Sequence, residues 1–587
     1  LDAIRWGAVT SADATALQAP FRSGISIEDY QLDPVVRALE MPRVNLGIFD
    51  DVGLGKTIEA GLVAQELLLR HRARSVWVVC PPNLCLKWQS EMQEKFGLEF
   101  RIADAAAVRQ LRRDRGLAAN IFTHYPRLIV SLDWLKLPTA QKLLDSVLPP
   151  TPTYPRRFDL LIIDEVHSCA PSGVGKYATD SLRTKAARRL AGHFAHRLFL
   201  SATPHYGYRE SFTALLELLD PQKFARGVEP NEAALSRSVV RRLKSTLRTD
   251  PVLGVRPDGS PRFPERVLDA IEVSYPEDER RVHQLLADYT AARRQRLSKG
   301  TAREQSAADF VSVTLKKRLF SSPEAFASTL AVHRNTITKA AQGRELDDRA
   351  YRNALARVDE EDFADDAEAA AAVEDALAAA ARSAPPPTAE EYQLLDQMQD
   401  WADTAAGRPD AKTEALVQRI DEWLRPGGKW NDERLIVFTE FRTTQSWLHR
   451  LLLERGIPAD RVELLYGGMD ADDRERIKRE FQADPDQTKV RILLATDAAS
   501  EGIDLQRHCR RMVHMEIPWN PNRLEQRNGR IDRHLQPFPQ VFIHHFVSDR
   551  YEQAGPGSLE ADLQFLSLIA KKVEQIRDDL GSVGQVL

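Results

Sequence analysis

Lys56 and Thr57 stand directly after Gly53-Leu54-Gly55, at the head of an apolar run with helical spacing, TIEAGLVAQELLL (57–69). Those residue types in that order suit a polyphosphate. Glycine reaches positive φ at no steric cost and lets the backbone approach a ligand closely. A helix N-terminus adds unpaired N–H groups and the positive end of a dipole. Lys56 has the reach for β- and γ-phosphates, and the Thr57 hydroxyl suits Mg2+. The strict pattern G-x-x-x-x-G-K-[ST] wants glycine at position 50, where this chain has Asp50. An ordinary glycine-rich turn before a helix is the competing reading.

A second cluster lies in LLIIDEVHSC (160–169), where Asp164 and Glu165 follow an apolar strand. In an open α/β sheet, ligands bind at the carboxyl ends of the strands. Asp164 is placed to hold Mg2+ through water and Glu165 to polarise an attacking water. Phosphoryl transfer asks mainly for such positioning and charge compensation. His167, two residues on, is placed to couple this site to the next strand. A pair of exposed acids at a strand end is the plainer alternative, and it weakens once Lys56 is counted in the same constellation.

The elements that must position these groups fall into two α/β regions around a different middle. From about 31 to 247, strand-like runs alternate with helical patterns. VNLGIF (44–49), SVWVVC (75–80), RLIVSL (127–132), DLLIID (159–164) and HRLFLSA (196–202) read as strands. From about 406 to 548 they alternate again, in RLIVFTE (434–440), RVELLYG (461–467), VRILLATD (490–497), RMVHMEI (511–517) and VFIHHFV (541–547). Short apolar runs between helices imply parallel sheets covered on both faces. The middle, about 250 to 405, shows no such runs. Its alanine-rich, acidic stretch 364–387 ends in three prolines and reads as a solvated helix or linker.

At 587 residues the chain is too long for one core. The expected division is an N-terminal segment (1–27), a first lobe (28–247), a helical insertion (248–405), a second lobe (406–548) and a C-terminal helical segment (549–587). Hydrophobic content of 43% and charged content of 28% are those of a globular chain. Net charge is −4, so nucleic-acid binding has to come from local basic patches. Cys80, Cys85, Cys169 and Cys509 are scattered with no C-x-x-C pair, which reads as buried thiols in a reducing cytoplasm and supports no zinc site. No apolar stretch is long enough to span a membrane. The first residue is Leu1, and a piece of a longer protein is expected.

The ordered motifs resemble those of superfamily-two helicases and translocases. DEVH (164–167) fits the DExH pattern. Tyr30-Gln31-Leu32 resembles the upstream glutamine motif, VCPPNLCLKW (79–88) motif Ia, LSATP (200–204) motif III and IVFTEFR (436–442) motif IV. ATDAASEGIDLQ (495–506) resembles motif V and QRNGRIDR (526–533) motif VI. DDVGLGKT (50–57) is close to the D-E-x-G-L-G-K-T of the Swi/Snf-type branch, which also has aspartate at the first position; Asp51 replaces the usual glutamate. YQLDPVVRAL, GLGKTIEAGLV and VVRRLK are similar to the RapA-type RNA-polymerase-associated ATPases. TYPRRFDLLIIDEVH, SGVGKYATDSLRT and LKKRLFSSPEAF are closer to the DrmD-type Swi/Snf-like helicases of the DISARM anti-phage systems.

The resemblance implies two RecA-like lobes closing on ATP and Mg2+. Gln31 would contact adenine, and Gly53, Leu54, Gly55, Lys56 and Thr57 would cradle the phosphates. Arg530 and Arg533, three apart and so on one face of a helix turn, would reach the phosphates from the second lobe, with Gln526 beside them. His167, Ser201, Thr203, Glu501, Gly502 and Asp504 would couple hydrolysis to a nucleic-acid track. Pro81, Asn83, Thr439, Arg442, Gly467, Gly468 and Thr496 are the track candidates. The basic runs RRLK (241–244) and LKKR (315–318) read as solvated helix faces, with contact to duplex DNA as the alternative. The expected partner is double-stranded DNA, with other DISARM subunits implied only by resemblance.

Overall fold

The computed structural model describes residues 16–25, 27–171, 180–202, 209–251, 253–256, 258–340, 348–358, 363, 365–500, 503–550 and 559–563. They form two compact units divided between Phe263 and Pro264.

The first unit is built on seven parallel strands: β1 (Asn45–Ile48), β2 (Val76–Cys80), β3 (Arg101–Ala103), β4 (Arg127–Ser131), β5 (Phe158–Ile163), β6 (Phe194–Leu200) and β7 (Val239–Val240). Their order is β3-β4-β2-β5-β6-β1-β7. The apolar runs lack polar alternation because both faces are covered. On β2, Trp77 and Val79 enter one core while Val76, Val78 and Cys80 enter the other. β5 divides the same way, with Leu161 and Ile163 on one face and Leu160 and Ile162 on the other. The carboxyl ends of β1 and β5 carry the phosphate loop and the Asp164-Glu165 pair.

The second unit has six parallel strands: β8 (Glu265–Val273), β9 (Leu435–Thr439), β10 (Val462–Leu465), β11 (Ile492–Thr496), β12 (Arg511–His514) and β13 (Gln540–Ser548). Their order is β10-β11-β9-β12-β13-β8. Two parallel-sheet α/β lobes of this kind are the RecA-like architecture expected from the motifs.

The middle region differs from its sequence reading. It contributes β8, which pairs with β13 from Glu265↔Gln540 to Val273↔Ser548. β8 is an edge strand whose residues alternate in character and are largely half-buried or exposed, so a search for continuous apolar runs passes over it. The alanine-rich stretch is no linker. Helix Asp366–Ser383 buries Ala372, Ala376, Leu377, Ala379, Ala380 and Ala381, against helices Ala302–Ser321 and Pro323–Ala340. Alanine permits close helix approach, so a composition that looks solvated serves here as packing surface.

The basic runs are not solvated helix faces either. RRLK continues from edge strand β7, and Lys244 is buried. LKKR lies in helix Ala302–Ser321, where Arg318 is buried with its guanidinium 3.8 Å from the Phe441 ring centroid. Next to it, the Ser321 and Ser322 hydroxyls meet Thr444 Oγ1 at 2.6 and 2.8 Å, which ties the insertion to the segment after β9. All four cysteines are free and buried. Among the described residues no helix is long and apolar enough to cross a membrane.

Candidate nucleotide site and nucleic-acid track

The loop from β1 to helix Lys56–Leu69 has the backbone its glycines announce. Gly53 has φ 87° and Gly55 φ 95°. A side chain at Gly55 would put its Cβ 2.5 Å from Gln31 Nε2, so only glycine leaves this loop its shape. The Gln31 Nε2–H and the Tyr30 hydroxyl both donate to Leu54 O, at 3.0 and 3.1 Å. The glutamine motif is thus joined directly to the phosphate loop. The Lys56 ammonium donates to Asp50 O at 2.9 Å and Asp51 O at 3.2 Å, and Thr57 is half-buried on the first helical turn.

Asp50, the departure from the strict pattern, is fully buried and has a structural partner. The Arg242 backbone N–H donates to its Oδ1 at 2.8 Å, and the Arg242 guanidinium pairs with its Oδ2, with Nη2 at 2.5 Å. The same guanidinium reaches Glu59, also fully buried, and the Tyr30 carbonyl. Burial opposes the charge on Arg242, but Asp50 and Glu59 outweigh it and hold the guanidinium protonated. Burial, reinforced by Asp50, pushes the Glu59 carboxyl well up. Asp51 Oδ2 accepts from the Lys244 N–H at 3.0 Å. The RRLK segment therefore anchors the underside of the loop.

Asp164 and Glu165 follow β5 as expected. Trp88 Nε1–H donates to Asp164 Oδ2 at 2.8 Å, and the Glu165 N–H to Asp164 Oδ1 at 2.9 Å. Burial, then the Glu165 charge, pushes the Asp164 carboxyl up to about 6 against these bonds and Lys56. Glu165 itself is left-handed, at φ 48° and ψ 47°. A non-glycine residue there stores strain of a kind that collects at functional sites. His167 Nδ1 lies 3.2 Å from Glu165 Oε2 and 3.0 Å from Ser201 Oγ at the end of β6. His167 Nδ1 thus lies within reach of both the acid pair and the segment that carries motif III. Thr203 lies outside the described residues.

A nucleotide polyphosphate fits this set: a helix N-terminus, a lysine with its ammonium on loop carbonyls, and an acid pair at the neighbouring strand end. No group of three or more His, Cys, Asp or Glu side chains that could hold a metal occurs among the described residues. A divalent ion here would be held by Thr57 and Asp164 together with phosphates and water, the usual manner of Mg2+.

In the second unit, motifs V and VI pack on each other. The Leu505 N–H donates to Arg530 O at 3.3 Å, Arg530 Nη1 to Ile503 O at 3.3 Å, and Arg533 pairs with Asp504. The helix carrying Gln526 ends at Asn528, so Arg530 and Arg533 sit in the turns beyond it and not on one helix face as expected. Glu501 and Gly502 lie outside the described residues. Sequence reasoning passed over Arg527, whose side chain is 1% exposed and grips Asp497 through Nε–Oδ1 at 2.5 Å and Nη2–Oδ2 at 2.8 Å. Its motif position was the available signal.

The track candidates divide between the units. In the first, Pro81 is buried and Asn83 half-buried around the short turn after β2. In the second, Thr439 and Thr496 are buried, and their hydroxyls donate to Glu516 Oε2 at 3.2 Å and Asp366 Oδ2 at 2.8 Å. Burial pushes the Glu516 carboxyl up to about 7. The Gly467 N–H also donates to Asp366 Oδ2, at 2.8 Å. Gly468 is exposed at φ 81°, and Arg442 stacks 3.6 Å from the Tyr466 ring centroid.

The sequence matches the SNF2-related domain over residues 34–318 and the helicase conserved C-terminal domain over 411–534. With the fold and the motif geometry, these matches define a Swi2/Snf2-type helicase ATPase, and the chain is a nucleic-acid-dependent ATPase of that class. It is similar to the uncharacterized ATP-dependent helicase YqhH of Bacillus subtilis (strain 168), at 25% identity over 95% of this chain and 80% of that protein. It is 27% identical to the RNA polymerase-associated protein RapA of Sodalis glossinidius, over 84% of this chain and 44% of RapA. The chain thus spans less than half the length of that relative. Among solved structures, the Pyrococcus furiosus Hef helicase domain overlays with TM-score 0.45 at 16% identity, covering 90% of this chain and 97% of that one. The Sulfolobus solfataricus SWI2/SNF2 ATPase core in complex with dsDNA overlays with TM-score 0.34 at 14% identity, covering 91% and 90%.

Proposed function

We propose that the protein hydrolyses ATP to translocate along double-stranded DNA. The observation that carries this reading is the Glu165–His167–Ser201 chain, which joins a water-activating carboxylate to motif III within one lobe. Bound ATP and Mg2+ supply the transferable γ-phosphoryl group and a neutralising cation. Lys56 exchanges the Asp50 and Asp51 carbonyls for phosphate oxygens, Thr57 and Asp164 hold the ion, and Glu165 orients the attacking water. By the resemblance, Arg530 and Arg533 would provide guanidinium groups for the phosphoryl oxygens. By the same resemblance, Gln31 and Gln526 would contact the nucleotide.

The setting we infer is cytoplasmic anti-phage defence of the DISARM type, with other subunits of that system as partners. It rests on the resemblance of LKKRLFSSPEAF and TYPRRFDLLIIDEVH to DrmD-type helicases. Within the first of these stretches, Arg318, Ser321 and Ser322 fasten the insertion to the second lobe. A second reading, a remodeller acting on RNA polymerase, is favoured by the similarity to RapA. ATPase rates with no addition, single strands, duplex DNA, RNA and RNA polymerase separate these readings. Duplex stimulation supports translocation. Indifference to DNA together with stimulation by RNA polymerase overturns it in favour of the second.

A further inference from the structure

A carboxylate from the helical insertion occupies donors of the second unit's track. Asp366 opens helix Asp366–Ser383, and its Oδ2 accepts from both the Gly467 N–H and the Thr496 hydroxyl, each at 2.8 Å. Asp365 caps the same helix through the Ala367 N–H at 2.8 Å. Its carboxylate also lies over Gly468, where a Cβ would meet Asp365 Oδ1 at 2.7 Å. Burial pushes the Asp366 carboxyl up, while the two hydrogen bonds and the nearby Arg442 favour its charged form and Asp497 opposes it.

A backbone N–H and a hydroxyl converging on one anionic oxygen are groups with which proteins hold a phosphodiester. A carboxylate oxygen and a non-bridging phosphate oxygen make the same demand on them. Thr496 and Gly467 come from different strand ends, and the insertion delivers Asp366 to the point where they meet. We propose that Asp366 is an intramolecular phosphate mimic, which a nucleic-acid backbone must displace to engage Gly467 and Thr496. The insertion thereby sets the affinity of the track. This inference rests on reading Gly467, Gly468, Thr496 and Arg442 as track residues.

Displacement lowers apparent affinity by the fraction of molecules in which the donors are free. The full chain carrying Asp366→Asn should therefore bind a labelled duplex oligonucleotide about three- to tenfold more tightly at fixed salt, since each charged hydrogen bond released is a substantial competitor. The duplex concentration that half-stimulates ATPase should fall in parallel. Asp366→Ser, which keeps a residue suited to a helix start, replaces it if the amide variant does not fold. Arg442→Ala controls for the underlying reading and should weaken binding. If Arg442→Ala weakens binding while both Asp366 variants leave it unchanged or weaker, the mimic is overturned and the track stands. If Arg442→Ala also leaves binding unchanged, the track assignment falls, and the mimic with it.

Discussion

Arg242 and Asp50 form a two-point ion pair beneath the phosphate loop, with Arg242 15% exposed and Asp50 fully buried. The pair explains why aspartate stands where the strict loop pattern has glycine. Position 50 does not need backbone freedom; it needs a carboxylate to hold β7 and its extension against the loop.

Restoring the strict pattern should therefore do harm. Asp50→Gly leaves the Arg242 guanidinium with Glu59 and the Tyr30 carbonyl, and breaking a buried pair by removing one partner costs about 3–5 kcal/mol. The urea midpoint of the first unit should fall, with no gain in turnover. An unchanged midpoint would show that the pair is not structural.

Glu165 should separate chemistry from binding. Glu165→Gln keeps the shape and loses the charge, so turnover stops while nucleotide affinity is retained. Glu165→Gly also stops turnover, yet should raise stability by about 1 kcal/mol, because glycine carries no Cβ at φ 48°. Lys56→Ala contrasts with both: it removes a charge from the phosphates, and turnover should fall at least about 100-fold. A loss of nucleotide affinity in Glu165→Gln would reassign that residue to binding.

The acid limb of the pH profile should belong to Asp164. Its carboxyl titrates near 6, above the ordinary carboxylate range. A raised carboxyl binds its proton more tightly in the folded state, so its contribution to stability falls as pH rises toward 6 and is lost above that. Ion holding follows the opposite sense, because only the carboxylate serves. The Mg2+ concentration that half-saturates ATPase should rise as pH drops from 7 to 5.5. Trp88→Phe removes a bond that favours the charged form and should move the limb upward by about one pH unit. A limb that stays put in that variant would exclude Asp164 as its source.

Arg527 and Arg533 should behave differently although they share a motif. Arg527 is 1% exposed on Asp497, and Arg527→Ala should destabilise the second unit by about 3–5 kcal/mol. Arg533 pairs with Asp504, which is 48% exposed, so Arg533→Ala should cost about 1 kcal/mol or less. Arg533→Ala should instead lose most DNA-stimulated turnover with little change in ATP affinity. Calorimetric unfolding and stimulated ATPase on both variants decide this; equal unfolding losses would remove the distinction.

The parts that were legible in the sequence are those whose chemistry is local. Gly53, Gly55, Lys56 and Thr57 sit within one turn, and Asp164 and Glu165 are adjacent at a strand end, so type and spacing suffice to place them. The apolar strands were legible because both faces of each sheet are covered. What escaped depends on chain order in space. Arg242 lies 192 residues from Asp50 and Trp88 lies 76 from Asp164, so only the sheet order makes them neighbours. Asp366 escaped for a further reason. Its helix is rich in alanine and acids, a composition that describes an exposed surface as well as it describes a packed helix with an acidic tip.

The pairing of β8 with β13 has a consequence for biosynthesis. Glu265 waits for Gln540, 275 positions later, before its neighbour on the sheet exists. At about 5–20 residues per second, that interval is roughly 15–55 s on the ribosome. The helices described between Glu277 and Ala405 pack mainly on one another and can fold in the meantime. β8 meanwhile emerges as an unmatched edge. Arg266, Asp269 and Glu272 punctuate it, and charges of this kind keep a waiting strand from joining the wrong chain. The alternation that hid β8 from a search for apolar runs is thus also its protection while the nascent chain is incomplete.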